Sequence, residues 1–95
     1  MAEPHYIAET QLLRRVAGNP SCRFIWTKHA LDEMSNLGIS APDIEFALSM
    51  GRIVLHEIKQ DILYRADCRD IDGRKFKAII AIYEDLICIK LVTVF

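Results

Sequence analysis

The sequence predicts an α+β domain in which two or three N-terminal helices pack on one face of a mainly antiparallel sheet of four or five strands. Up to Met50 the apolar residues recur at helical spacing, and the segments end at Gly18, Gly38 and Gly51. From Arg52 onward the apolar period becomes two. The chain has 95 residues, 52% of them apolar, which is enough for one core without metal or disulfide. Residues 1–95 therefore read as a single domain, an N-terminal helix over 1–18 followed by a core over 23–95.

The first helix is expected from about Glu3 to Ala17, with Ile7, Leu12, Leu13 and Val16 roughly on one side and Gly18 as its stop. Asn19-Pro20 marks a turn, and Arg23 to Trp26 reads as a short first strand. Thr27 is placed as the N-cap of a second helix whose apolar stripe is Ala30, Leu31, Met34 and Leu37. Ser40 then caps a third helix, with Pro42 in its first turn and Asp43 at the reciprocal capping position. Ile44, Ala47 and Leu48 form the expected buried face of that helix.

The strands are "RIVLHEI", "DILYRADCR", "KFKAIIAIY" and "LICIKLVTV". A two-residue loop at Glu84-Asp85 sets Tyr83 opposite Leu86, Ala81 opposite Cys88, Ile79 opposite Lys90 and Lys77 opposite Val92. The turn before it must hold an odd number of residues if both apolar sets are to share a face. Five residues, Asp70 to Arg74, pair Arg69 with Lys75, Asp67 with Lys77 and Arg65 with Ile79.

This register collects Arg65, Arg69, Lys75, Lys77 and Lys90 on one sheet face, with Asp67 among them. Residues 27–50 carry one lysine against four carboxylates, so the helical layer is acidic and this face basic. Such cations can orient phosphates and stabilise the charge that develops during phosphodiester cleavage. The same alternation also describes a solvated face with a cross-strand Asp67–Lys77 pair. Leu63, Ile79, Ala81, Tyr83, Leu86, Cys88 and Val92 share the face, and so many apolar groups call for a cover. Either the N-terminal helix or a second protein chain, such as another copy, supplies it.

His29 falls in the first turn of the second helix, where the helix dipole favours a neutral ring. It reads first as a joint residue packed between strand and helix, and second as a proton-transfer group. His56, in the second strand, reads as an exposed strand position or as a weaker catalytic candidate. Cys22, Cys68 and Cys88 are an odd, widely spaced set without a Cys-x-x-Cys pair, which fits buried free thiols in a reducing compartment. No metal site and no cofactor is expected, since no ligand spacing, P-loop or Gly-rich fingerprint is present. The net charge of −1 excludes a general attraction to nucleic acid or membranes, so any basic site is local. No signal peptide or membrane-length apolar run is visible, which makes the cytoplasm the expected location.

The stretch "WTKHALDEMSNLGISAPDIEFALSMGRIV", with "DGRKFKAIIAI" and the closing "KLVTVF", resembles the bacterial domain-of-unknown-function family 4258. The N-terminal helix, "LYRAD" and "LICIK" are similar to the MqsR toxins, which belong with the RelE/ParE-like toxins of toxin–antitoxin systems. That resemblance implies a compact toxin fold and metal-independent messenger-RNA cleavage from the open face, neutralised by a cognate antitoxin. On this view Arg65 and Lys77 stabilise the cleaved phosphate and Arg69, Lys75 and Lys90 hold RNA backbone. His29 or His56 would move the proton. The chain departs from the unknown-function family at Lys77, where histidine is frequent, and at Phe95, where tyrosine is usual. The rival reading is a non-catalytic domain that binds a protein through the same face.

Overall fold

The computed structural model describes residues 6–58 and 62–95. Helices α1 (Ile7–Ala17), α2 (Lys28–Leu37) and α3 (Ala41–Ser49) alternate with or precede strands β1 (Arg23–Trp26), β2 (Arg52–Ile58), β3 (Ile62–Arg69), β4 (Lys75–Tyr83) and β5 (Cys88–Val94). The strands form one sheet in the order β1-β5-β4-β3-β2. Neighbours run antiparallel except β1, which pairs parallel to β5. The expected α+β architecture is therefore present. The expected helix start at Glu3 lies outside the described residues.

Local chemistry delimits the helices. The Thr27 hydroxyl accepts from the Ala30 N–H at 3.1 Å and donates to the Val92 carbonyl at 3.0 Å, so one side chain caps α2 and ties it to β5. At the other end of α2, Gly38 takes φ +69°, a left-handed conformation that favours glycine. Ser40 and Asp43 form a reciprocal capping box at α3.

The core lies between the helices and one sheet face. Leu13, Ile44, Leu48, Ile80, Ile89 and Leu91 are fully buried there. Gly51 permits the close approach of α1: a Cβ on it would stand 3.3 Å from Leu13 Cδ2 and 3.4 Å from Cys68 Sγ. Leu13 and Val16 thus dock α1 beside α3, on the helical face. The cover expected from α1 on the opposite face is not what this helix provides, and its Ile7 is exposed. In α2 the buried stripe narrows to Ala30 and Met34, with Leu31 and Leu37 exposed, because this helix leans on β5 near the sheet margin.

The β3–β4 register matches the expected pairs Arg69–Lys75, Asp67–Lys77 and Arg65–Ile79. The β4–β5 register does not. Tyr83 pairs with Cys88 and Ala81 with Lys90, and an irregularity between Ile79 and Ile80 then sets Ile79 opposite Thr93. A short 3-10 turn at Glu84–Leu86, followed by Ile87 at φ +48°, lengthens the connection beyond the expected two-residue loop. Near the turn the slip is by two residues, which preserves the faces and leaves Ile82 and Ile89 on the core side.

Cys68 and Cys88 are buried, Cys22 is half-buried, and all three are free thiols. Burial pushes the Cys68 thiol up to about 12, with the Asp67 charge adding to it. Among the described residues no helix is long and apolar enough to cross a membrane.

Candidate nucleic-acid interface

Strand alternation builds the site. In β3, Ala66 and Cys68 enter the core, which turns Arg65, Asp67 and Arg69 to the open face. In β4, Phe76, Ala78 and Ile80 enter the core and Lys75, Lys77 and Ile79 turn outward. Arg52 of β2 stands opposite Asp67, and Asp67 stands opposite Lys77. The row is completed by Phe95: the Lys77 N–H donates to the Phe95 carbonyl at 2.7 Å, and the Phe95 N–H to the Lys77 carbonyl at 2.8 Å. Arg52, Asp67, Lys77 and Phe95 thus cross the sheet side by side.

An open cleft of about 590 Å³ lies over this row, lined by Arg52, Asp67, Arg69, Lys75, Lys77 and Phe95 among others. Four cations meet one carboxylate there. The Arg65 guanidinium lies over the Phe95 ring, 5.4 Å from its centroid. Arg65 Nε and Asp67 Oδ1 are both buried without a hydrogen-bond partner. Among the described residues the ion pairs are Arg15–Glu84, Lys28–Asp32 and Arg74–Asp70, so the expected cross-strand Asp67–Lys77 pair does not form. Register brings the two residues opposite each other, but the lysine ammonium remains uncommitted to that carboxylate.

The turn beside the cleft is held by a buried carboxylate. Asp70 accepts from the backbone N–H groups of Asp72 at 3.0 Å and Arg74 at 2.8 Å, and from Arg74 Nε at 3.0 Å. The Arg74 guanidinium also donates to the carbonyls of Leu37 at 3.1 Å and Gly38 at 3.2 Å, which locks the β3–β4 turn onto the end of α2. Burial alone would raise the Asp70 pKa. The Arg74 backbone and side-chain hydrogen bonds, its positive charge and the Asp72 N–H outweigh that and hold the carboxyl below its ordinary value.

The other expected site residues separate. Lys90 shares the open face but lies in the row Ile25–Lys90–Ala81, outside the cleft. His56 stands opposite Tyr64, which stands opposite the core residue Ile80, so it belongs to the helical side of the sheet. Its ring stacks on Tyr64 with centroids 4.9 Å apart. His29 is exposed rather than packed as a joint. Thr27 performs the capping and linking, and a helical step from the buried Ala30 and Met34 leaves His29 outside the stripe. It stands in the first turn of α2, which starts beside Val92 of the strand leading to the cleft.

Of the row that crosses the sheet, Arg52 and Phe95 were absent from the expected set. Arg52 was only a strand start, because nothing local fixes the β2–β3 register. Phe95 was only a position after the last strand where the resembled family usually has tyrosine. An arginine one strand from an acidic–basic pair was the available signal for the first. Among the described residues no three His, Cys, Asp or Glu side chains group to hold a metal.

No curated protein and no solved structure matches this chain. The model of the family described as a domain of unknown function (DUF4258) matches residues 26–95, and the chain belongs to that family.

Proposed function

We propose that this is a toxin-like domain whose open face binds the sugar–phosphate backbone of RNA and cleaves it without a metal ion. The observation that carries the reading is the cleft in which Arg52, Arg69, Lys75 and Lys77 surround one carboxylate. A chain of net charge −1 that concentrates four cations in one concavity is suited to a local polyanion. In this reading Arg65 and Lys77 stabilise charge on the phosphate under attack, while Arg52, Arg69 and Lys75 hold flanking phosphates. Lys90 extends the track along the same face.

Cleavage would run by attack of a ribose 2′-oxygen on the adjacent phosphorus. The 2′-hydroxyl gives up its proton, the bond to the 5′-oxygen breaks, and that oxygen takes a proton as it leaves. The reading assigns proton transfer to His29, exposed at the start of α2 where Thr27 meets Val92 of β5, ahead of His56, whose ring is stacked on Tyr64. A cognate antitoxin protein would neutralise the domain by covering the basic face.

A second reading has its own support. Ile25 is 49% exposed and Leu86 60% exposed at the end of the open face away from the cleft, an apolar margin suited to a protein partner or a second copy of the chain. RNA incubated with the protein and a metal chelator, followed by mapping of new ends, separates the two. Cleavage that disappears in Lys77→Ala supports the nuclease. Binding without cleavage removes the enzymatic part, and neither binding nor cleavage overturns the proposal.

A further inference from the structure

We infer that Phe95 is a stacking platform for an unpaired base, so that the cleft takes single-stranded rather than duplex RNA. The inference rests on the backbone-binding reading above and adds the element that recognises a base. Phe95 is 47% exposed at the cleft wall, where a large apolar residue standing in water is otherwise unfavourable. One of its faces carries the Arg65 guanidinium at 5.4 Å.

The ring does not hang from a loose end. The paired hydrogen bonds between the Lys77 and Phe95 backbones, at 2.7 and 2.8 Å, fix the residue as a continuation of β5. Its position is therefore set relative to Lys77 on the neighbouring strand and to Arg65 on the strand beyond. A half-exposed ring with a cation on one face, beside a row of cationic side chains, matches the two needs of a single strand. Its phosphates require cations and its bases expose π-faces. A duplex keeps its bases stacked on one another and offers the ring no such face. The cleft of about 590 Å³ falls within the usual range of small-ligand pockets, of the order of 300–1,000 Å³.

The chemistry also explains why phenylalanine suffices at this position. Stacking uses the ring alone and needs no hydroxyl. Phe95→Tyr should then bind as the wild type does, whereas Phe95→Leu keeps apolar bulk and loses the π-face.

The experiment uses the full chain and three probes: a short oligoadenylate, the same strand annealed to its complement, and inorganic polyphosphate, which has charge but no bases. The wild type should bind oligoadenylate more tightly than the duplex. Phe95→Leu and Phe95→Ala should weaken oligoadenylate binding by roughly fivefold to a hundredfold, the range expected for one lost stacking contact. Both should leave polyphosphate binding within about twofold of wild type, because that ligand reads only the electrostatic part. Lys77→Ala should weaken oligoadenylate and polyphosphate alike. Thermal melting of each variant reports folding, and Phe95→Leu keeps the test valid if Phe95→Ala is unstable. Unchanged oligoadenylate binding by Phe95→Leu, or an equal loss of both ligands, would overturn the stacking role while leaving the backbone reading intact. A wild type that binds neither ligand would overturn both.

Discussion

The Arg65 guanidinium and the Phe95 ring meet across the open face, 5.4 Å from guanidinium carbon to ring centroid, although Arg65 lies in β3 and Phe95 follows β5. The contact links the middle of the sheet to the cleft wall. Arg65 Nε is buried without a hydrogen-bond partner, and its guanidinium rests on the Phe95 ring. Arg65→Ala should cost about 0.5–1 kcal/mol, the range for a cation–π contact at a partly exposed site. For a domain of this size that is a fall of a few degrees in melting temperature. RNA binding should fall more than stability does. Arg65→Lys keeps the charge and loses the planar stack, so it should lie between the two. Thermal melts alongside binding titrations check this, and an Arg65→Ala protein with unaltered RNA affinity would speak against a role for this residue.

Asp67 is the one carboxylate in the cleft, opposite both Arg52 and Lys77, and its Oδ1 is buried without a partner. A site for anions is opposed by that charge. Asp67→Asn should therefore strengthen RNA binding several-fold at low salt, with the gain shrinking as salt screens the field. Stability should hold or rise slightly, since a buried, poorly satisfied anion is replaced by a neutral amide. Weaker binding by this variant would indicate that Asp67 orients the cations beside it.

The Asp70 carboxyl gives an acid-side prediction. Its pKa in the folded chain lies below the ordinary value of 3.8, so its contribution to stability is fully present above that value and is lost as pH falls through the folded pKa. Asp70→Asn should be less stable than wild type near neutral pH, and the difference should shrink as acid protonates the wild-type carboxylate. Arg74→Ala should reproduce part of the loss, because it also removes the donors to Leu37 and Gly38. Melting temperatures measured across the acid range test this, and a difference that stays constant down to the lowest pH would contradict it.

His29 is exposed in the first turn of α2, while Thr27 supplies the cap. His29→Ala should change stability by no more than about 0.5 kcal/mol, as surface substitutions usually do. If His29 moves the proton, the same variant should keep RNA binding and lose cleavage. A marked fall in melting temperature would restore the packed-joint reading, and full cleavage would remove the catalytic one.

Much of the fold was legible because several local signals agreed. The capping box at Ser40 and Asp43, the glycine stops and the odd-numbered turn from Asp70 to Arg74 each fix a boundary or a register by sterics and hydrogen bonding close in sequence. The β4–β5 connection was misjudged because Glu84-Asp85 reads as the whole turn, whereas Ile87 is also spent there at positive φ. A β-branched residue in that conformation leaves no sequence signal. The parallel pairing of β1 with β5 was equally silent, since no tight turn joins parallel neighbours. Within the site, the cations of β3 and β4 followed from alternation alone. Arg52 and Phe95 joined them only through long-range pairing, and His56 was separated from them by the face its strand neighbours share with the core.

The central claim is that the Arg52–Lys77–Phe95 cleft binds the RNA backbone, and the salt dependence of binding tests it most directly. Affinity of the wild type for a single-stranded RNA should be greatest at low salt, and its logarithm should fall linearly with the logarithm of salt concentration. Each phosphate neutralised contributes about 0.7 to the magnitude of that slope. Lys77→Ala and Arg52→Ala should each make the slope shallower by roughly that amount, and the double variant by about twice it. A wild-type protein with no RNA affinity at low salt, or variants whose slopes match the wild type, would contradict the account.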